Sequence, residues 1–265
     1  MIWTLYKLEL FKMVKRLATW ITFFSLLVLF LFQYGSQYYD AYKNPRWHFG
    51  FPDAWEAIIE DGAPATSIFT AVIIALLIAA EFDWRTSRQN IIDGLSRKQW
   101  LAAKLLLIPT IALWFFGLQL TVAGGLAWAG TDPALANAFS ISRVHLLALA
   151  GVYLAVLCYA SIALFIALLT RSAGAAIGIT LIYQVLELMF TRTLRSIELD
   201  NIADWFPFQV HRALFDYQQY LAYARDFTLP PGMEAMNTTS LFAAGAGWIV
   251  FFVVLSWLVY STRDL

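Results

Sequence analysis

Five stretches of the chain run for 19 to 28 residues without a charged side chain: Leu17–Tyr39, Gly62–Ala80, Leu105–Thr131, Val144–Thr170 and Ala235–Thr262. An α-helix needs about 20 apolar residues to cross about 30 Å of hydrocarbon. In lipid, only a helix or a closed barrel satisfies its own backbone polar groups. Each stretch therefore predicts a spanning helix. A sixth run, Ser172–Leu186, is too short alone, but its apolar character resumes at Leu188–Thr191, with Glu187 the interruption. The expected fold is all-α and integral to the membrane, a single transmembrane domain over 1–265. Its six transmembrane helices are placed at approximately 18–38, 63–80, 104–129, 145–169, 173–191 and 240–260. Composition agrees, with 60% hydrophobic and 14% charged residues, against roughly 45–50% and about 25% in soluble domains.

Six spans put both termini on one side. That side collects Lys7, Lys12, Lys15, Arg16, Arg85, Arg88, Arg97, Lys98, Lys104, Arg171 and Arg263 against five acids, a net charge of +6. The other side carries −5, with Glu187 assigned to neither. Basic residues near span ends mark the cytoplasmic face. The expected location is the cell (inner or plasma) membrane, multi-pass, with both termini cytoplasmic. Within Met1–Arg16, apolar residues such as Trp3, Leu8 and Phe11 interleave with Lys7, Glu9, Lys12 and Lys15. Such a pattern suits an N-terminal interfacial helix. No small-residue cleavage site follows the first apolar stretch, so it reads as a retained helix. Spans 4 and 5 are joined by Thr170–Arg171–Ser172, a tight hairpin. The outer segment Arg192–Glu234 is dense in aromatics, including Trp205, Phe206, Phe208 and Phe215, and is broken by Pro207. It predicts short outer helices between spans 5 and 6 that dip into the interface.

No catalytic apparatus is legible. There is no G-x-x-x-x-G-K-[ST], no H-E-x-x-H and no G-x-S-x-G, so neither P-loop ATP hydrolysis nor zinc or serine chemistry is expected. His48, His145 and His211 are scattered over the outer regions, and no metal is expected. The single cysteine, Cys158, cannot form an internal disulfide. Net charge is zero, and no nucleic-acid partner is expected. Polar residues inside spans are the remaining candidates. Glu187 is an acid within a span, and such a residue is a functional hypothesis by default; it either lines a transport path or pairs with Arg192 or headgroups. Gln119 and Gln184 either line the same path or bond across helices. Gly174 and Gly178 form a G-x-x-x-G, and Gly245 and Gly247 lie in a small-residue stretch. Both permit close helix approach, within the chain or at a dimer seam.

The most informative loop runs from Glu81 to Lys104: E-F-D-W-R-T-S-R-Q-N-I-I-D-G-L-S-R-K-Q-W-L-A-A-K. It reads as a span end, a short helix, a break at Asp93-Gly94 and a new helix capped by Ser96. An acid closing the second span, R-Q-N-I-I-D-G-L-S-R and a lysine opening the third together resemble the ABC-2 type permeases of ABC exporters. The span count, N-terminal interfacial helix, tight 4–5 hairpin and structured outer segment are similar too. The resemblance implies a cytoplasmic coupling helix between spans 2 and 3 that docks on a separate ATPase. It gives contact roles to Glu81, Arg88, Asn90, Ile91, Ile92, Asp93, Gly94, Leu95, Arg97 and Lys98. It implies a transport permease, not an enzyme, working with two copies of an ABC ATPase subunit that bind the ATP and Mg. Further partners are a second permease copy, most simply as a homodimer, membrane lipids and, as an option, an extracytoplasmic accessory protein. The alternative is a polytopic membrane enzyme or assembly scaffold without an ATPase.

Overall fold

The structure is a computed structural model that describes residues 2–44, 48–84, 86–92, 94–134, 139–215 and 238–262. These residues form helices and turns, with no strand among them. Helix α1 (Ile2–Lys15) gives way to α2 (Leu17–Lys43) at Arg16, whose backbone is extended. Short α3 (Ala54–Glu60) precedes α4 (Ala63–Asp83). Pro64 sits in the first turn of α4, where a missing N–H leaves no intrahelical bond unmade. A seven-residue helix, α5 (Thr86–Ile92), follows. Gly94 then turns the chain at φ +98°, a conformation glycine adopts without steric cost. Ser96 opens α6 (Arg97–Ala129) with a reciprocal cap. Its Oγ accepts from the Gln99 amide at 3.3 Å, and its own amide donates to Gln99 Oε1 at 3.0 Å, satisfying two otherwise orphaned donors. Ser142 and His145 repeat the device at the start of α7 (Arg143–Thr170). Arg171, at φ 54°, closes the hairpin into α8 (Ala173–Ser196). Two short helices, α9 (Asp200–Ala203) and α10 (Pro207–Phe215), lead towards α11 (Thr238–Thr262).

Six helical stretches are long and apolar enough to cross a membrane: α2, α3 with α4, α6, α7, α8 and α11. The chain is a multi-pass membrane protein. Several helices run past the charge-free intervals. The stretch through α4 begins at Ala54 because Ala57, Ile58 and Ile59 continue the apolar run around Glu56 and Glu60. Helix α6 begins at Arg97, with Lys104 already two turns inside it.

Helix α7 is the hub. It packs against α4, α6, α8, α10 and α11. Its buried positions include Ala148, Gly151, Ala155, Ala160, Ala163 and Ala167. In lipid, apolar burial gives little drive for one helix to join another, so close packing of small residues does the work. At Gly151 the Leu214 carbonyl oxygen of α10 lies 2.7 Å from where a Cβ would stand. Helices α2 and α8 are peripheral, and Phe24, Val28, Phe32, Ile182, Val185 and Met189 are exposed outward. Pro109 lies inside α6, which continues through it, and the Tyr153 hydroxyl donates to the Pro109 carbonyl at 3.0 Å.

One end of the bundle gathers four segments that are distant in sequence. Arg97 Nη1 donates to the carbonyls of Tyr260 (3.3 Å) and Ser261 (2.7 Å) at the end of α11. Trp100 stacks on Tyr260 at 4.5 Å. The Arg171 guanidinium of the α7–α8 hairpin lies over the Phe82 ring at 5.2 Å. The end of α1 reaches α4 through Arg16, which donates to the Leu77 carbonyl at 3.3 Å.

Candidate functional site

The charged groups that membrane-crossing segments ordinarily exclude meet at this end. Lys104, 3% exposed, projects from α6 between two carboxylates. Its Nζ is 3.1 Å from Glu81 Oε1 on α4 and in contact with Glu9 Oε2 on α1. Glu81 is 1% exposed. Two further cations come from the α1 side: Lys12 pairs with Glu9 at 2.9 Å and lies 4.0 Å from Glu81, and Arg16 reaches Glu81 at 3.5 Å. Three cations therefore share two carboxylates. A lone ammonium or carboxylate at this depth would carry a desolvation cost of several kcal/mol. The cluster offsets that cost with charge-assisted hydrogen bonds.

The junction continues into α5. The Thr86 hydroxyl, in the first turn of that helix, donates to Glu81 Oε2 at 3.0 Å and is 3.3 Å from the Glu81 carbonyl. Glu81 thus connects α1, α4, α5 and α6 through one carboxylate. Tyr6 and Thr110 share a hydrogen bond of 2.8 Å farther along the α1–α6 contact. What the arrangement can do is transmit displacement, because α5 cannot shift at Thr86 without loading the Glu81 carboxylate.

The sequence singled out Glu81 here but not Glu9, Lys12, Arg16 or Lys104 as its partners. The available clue was Lys104 itself, a cation between Leu101 and Leu107 in an otherwise apolar run. Of the other loop candidates, Ile91 and Leu95 are half-buried against the core, whereas Ile92 is 67% exposed. Gly94 makes the turn. Arg88 and Asn90 stand on α5, but their side chains, like the whole of Asp93, lie outside the described residues. Arg97 is directed to the α11 carbonyls, and Lys98 lies over the Trp257 ring at 5.9 Å. Both reach towards α11.

A second polar cluster lies on the far half of α8. Glu187 is 4% exposed. Its Oε1 accepts from the amides of Phe208 (2.6 Å) and Gln209 (3.1 Å), so it caps the N-terminus of α10 from another helix. Glu187 meets these two amides rather than Arg192, one of the alternatives open to it in sequence, because α10 presents two orphan donors that a carboxylate satisfies together. One turn on, Thr191 Oγ accepts from Gln209 Nε2 at 3.2 Å. One turn further, Arg195 pairs with Asp204 at 2.8 Å and reaches Gln209 Oε1 at 3.4 Å. The i, i+4, i+8 spacing puts all three on one face of α8. His211 on α10 is buried. Its Nε2 lies 3.0 Å from Ser67 Oγ on α4, and its ring stacks on Tyr159 at 5.2 Å. Burial holds this imidazole well below the ordinary histidine range, at about 3.

The other candidates fall apart from these clusters. Gln119 is fully buried and donates to the Ile58 carbonyl at 2.7 Å while its Oε1 accepts from Thr66. It joins α3, α4 and α6. Gln184 is half-buried on α8. Among the described residues, a Cβ added at Gly174, Gly178 or Gly247 meets nothing within 4 Å, whereas one at Gly245 would press on Leu214 and Leu154. His145 stacks on Trp55 at 5.4 Å, away from His211. The rest of the outer aromatic segment, residues 216–237, lies outside the described residues.

A comparison with curated proteins finds no match. A family model described as "Protein of unknown function (DUF2705)" matches residues 22–265. That match runs from α2 through α11 and takes in Glu81, Lys104 and Glu187, and the chain belongs to the DUF2705 family.

Proposed function

We propose that this chain is the membrane permease subunit of an ABC transporter of the ABC-2 exporter type, moving its substrate with ATP hydrolysed on a separate subunit. The observation that carries the reading is the setting of α5. It is a short helix suspended between the ends of α4 and α6, anchored at one end by the Thr86–Glu81 hydrogen bond and released at the other by Gly94. A helix mounted in this way is suited to receive a rigid-body push from a soluble motor. The Glu81–Lys104–Glu9 junction would carry that push into α4, α6 and α1. In this reading α1 is the interfacial helix, α5 the coupling helix, and α9 and α10 the outer helices. The basic end of the bundle is cytoplasmic.

The functional unit is then two copies of this chain with two ATPase subunits, which bind ATP and Mg. The chain itself performs no covalent chemistry. Half-buried Gln184 stands on α8, the helix that this reading gives to the path between copies, whereas Glu187 is turned onto α10; the few charges in the spans disfavour a route for small hydrophilic ions. Arg88 is the residue on α5 assigned to the motor, whereas Arg97 holds α11.

The test is co-purification of the tagged chain with a P-loop ATPase encoded beside it, followed by Arg88→Glu. The expected result is a stable complex whose ATPase stimulation falls at least tenfold in R88E, with the permease still inserted. Failure of any P-loop ATPase to associate would remove the motor and favour a scaffold or enzyme acting alone.

A further inference from the structure

Helix α1 has two unlike faces. One is tied to the bundle through Tyr6–Thr110 and through Glu9, which contacts Lys104. The other carries Trp3 and Phe11, each 62% exposed, with Leu8 at 52% and Val14 at 40%. Two exposed lysines lie on this outer face beside the aromatics. Lys7 Nζ is 5.8 Å from the Trp3 ring, and Lys15 Nζ is 5.4 Å from the Phe11 ring. Glu9 is the acid of this helix, and it is turned inward and consumed by Lys104 and Lys12. The outward face therefore combines apolar bulk with uncompensated positive charge. Trp84 extends the same chemistry at the end of α4, 66% exposed with the Arg16 guanidinium 5.1 Å over its ring.

We infer that the outer face of α1 is a binding surface for anionic lipid headgroups in the leaflet at the Glu81–Lys104 end of the bundle. The aromatic and aliphatic side chains enter the boundary between headgroups and acyl chains, as in amphipathic interfacial helices. The rings flank the lysine stems, and the ammonium groups reach the phosphates. A zwitterionic headgroup would satisfy the apolar part equally well, so discrimination comes from Lys7 and Lys15. A basic residue near an anionic surface contributes about fivefold in affinity, the equivalent of about 1 kcal/mol. Because the opposite face of α1 is locked to Glu81 and Lys104, lipid bound here would add directly to the stability of the junction. The inference stands whether or not an ATPase drives the chain.

The probe is phosphatidylglycerol titrated into phosphatidylcholine mixed micelles holding the purified full chain, read by thermal unfolding. Phosphatidylglycerol is expected to raise the midpoint. In K7Q/K15Q the half-saturating fraction should rise by roughly 25-fold, two factors of the fivefold above, with the midpoint in pure phosphatidylcholine unchanged. K7R/K15R should restore the response, and 1 M NaCl should abolish it. An equal response in K7Q/K15Q and the native chain would overturn the inference. So would the same shift produced by inorganic phosphate alone, which would make the site one for a free anion rather than a lipid surface. A K7Q/K15Q chain already destabilised in phosphatidylcholine would likewise overturn it, by making the lysines structural.

Discussion

Lys104 Nζ lies 3.1 Å from Glu81 Oε1, 23 positions earlier in the chain, and the same ammonium holds Glu9 on the N-terminal helix. Replacing Lys104 by Met keeps the volume and removes the charge both carboxylates face. Breaking a buried pair from one side costs about 3–5 kcal/mol. The lower end applies here, because Lys12 and Arg16 still approach the acids. K104M should therefore lower stability by about 3 kcal/mol in detergent unfolding. The triple variant E9Q/E81Q/K104M removes the three buried charges together and leaves only the partly exposed Lys12 and Arg16, so it should recover most of it. A triple variant as unstable as K104M would mean that packing, not charge, holds α1 in place.

The spans were legible because their cause is local: a run of apolar residues long enough for hydrocarbon announces itself wherever it occurs. The helix start at Ser96 was equally local. The junction was not, since Glu9, Glu81 and Lys104 belong to three separate helices and only the packing of α1 on α6 brings them together. Arg97 shows the same limit. In sequence it sits in a basic loop and reads as a contact for a partner, yet α11 ends beside it and supplies carbonyl acceptors. Glu187 was recognised as an unusual acid, but its partner is the backbone of α10, and backbone amides leave no mark in residue identity.

Glu187 serves α10 through charge as well as hydrogen bonding, since an acid at a helix N-terminus meets the positive end of the helix dipole. E187Q retains an acceptor oxygen and should cost about 1 kcal/mol, whereas E187A leaves two amides orphaned and should cost about 2 kcal/mol. Hydrogen exchange over residues 207–215 reads this directly. Protection should fall modestly in E187Q and strongly in E187A, with α1 and α6 unaffected. Unchanged protection of α10 in E187A would show that the cap contributes nothing, and would return Glu187 to the transport path.

Gly62 separates α3 from α4 where Tyr34 and Gln119 converge. A Cβ at this position would collide with the Tyr34 hydroxyl and with Cδ of Gln119. Gln119 cannot give way, because its amide is held by Ile58 and Thr66. Overpacking of this kind costs about 1–3 kcal/mol, so G62A should destabilise the chain by about 2 kcal/mol. The control is G247A, where a Cβ meets open space and the change should fall within about 0.5 kcal/mol. Unfolding midpoints of the two variants, compared side by side in the same detergent, decide the matter.

Gly174 and Gly178 are one turn apart on α8, and a Cβ at either meets nothing within 4 Å among the described residues. Close approach of a second copy is the use such spacing has in membranes, and the proposed transporter needs a second copy. Bulky substitution separates the two roles. At either position the Cβ of G174I/G178I meets no atom of the described residues within 4 Å, so the stability of the isolated chain should stay within about 1 kcal/mol. Association should weaken at least tenfold, because the added side chains hold the two α8 helices apart. Light scattering of the purified protein gives the mass directly. Dimers in the native chain and monomers in G174I/G178I are expected, whereas dimers persisting in the variant would place the seam on another helix, with α2 the next candidate through its exposed Phe24, Val28 and Phe32.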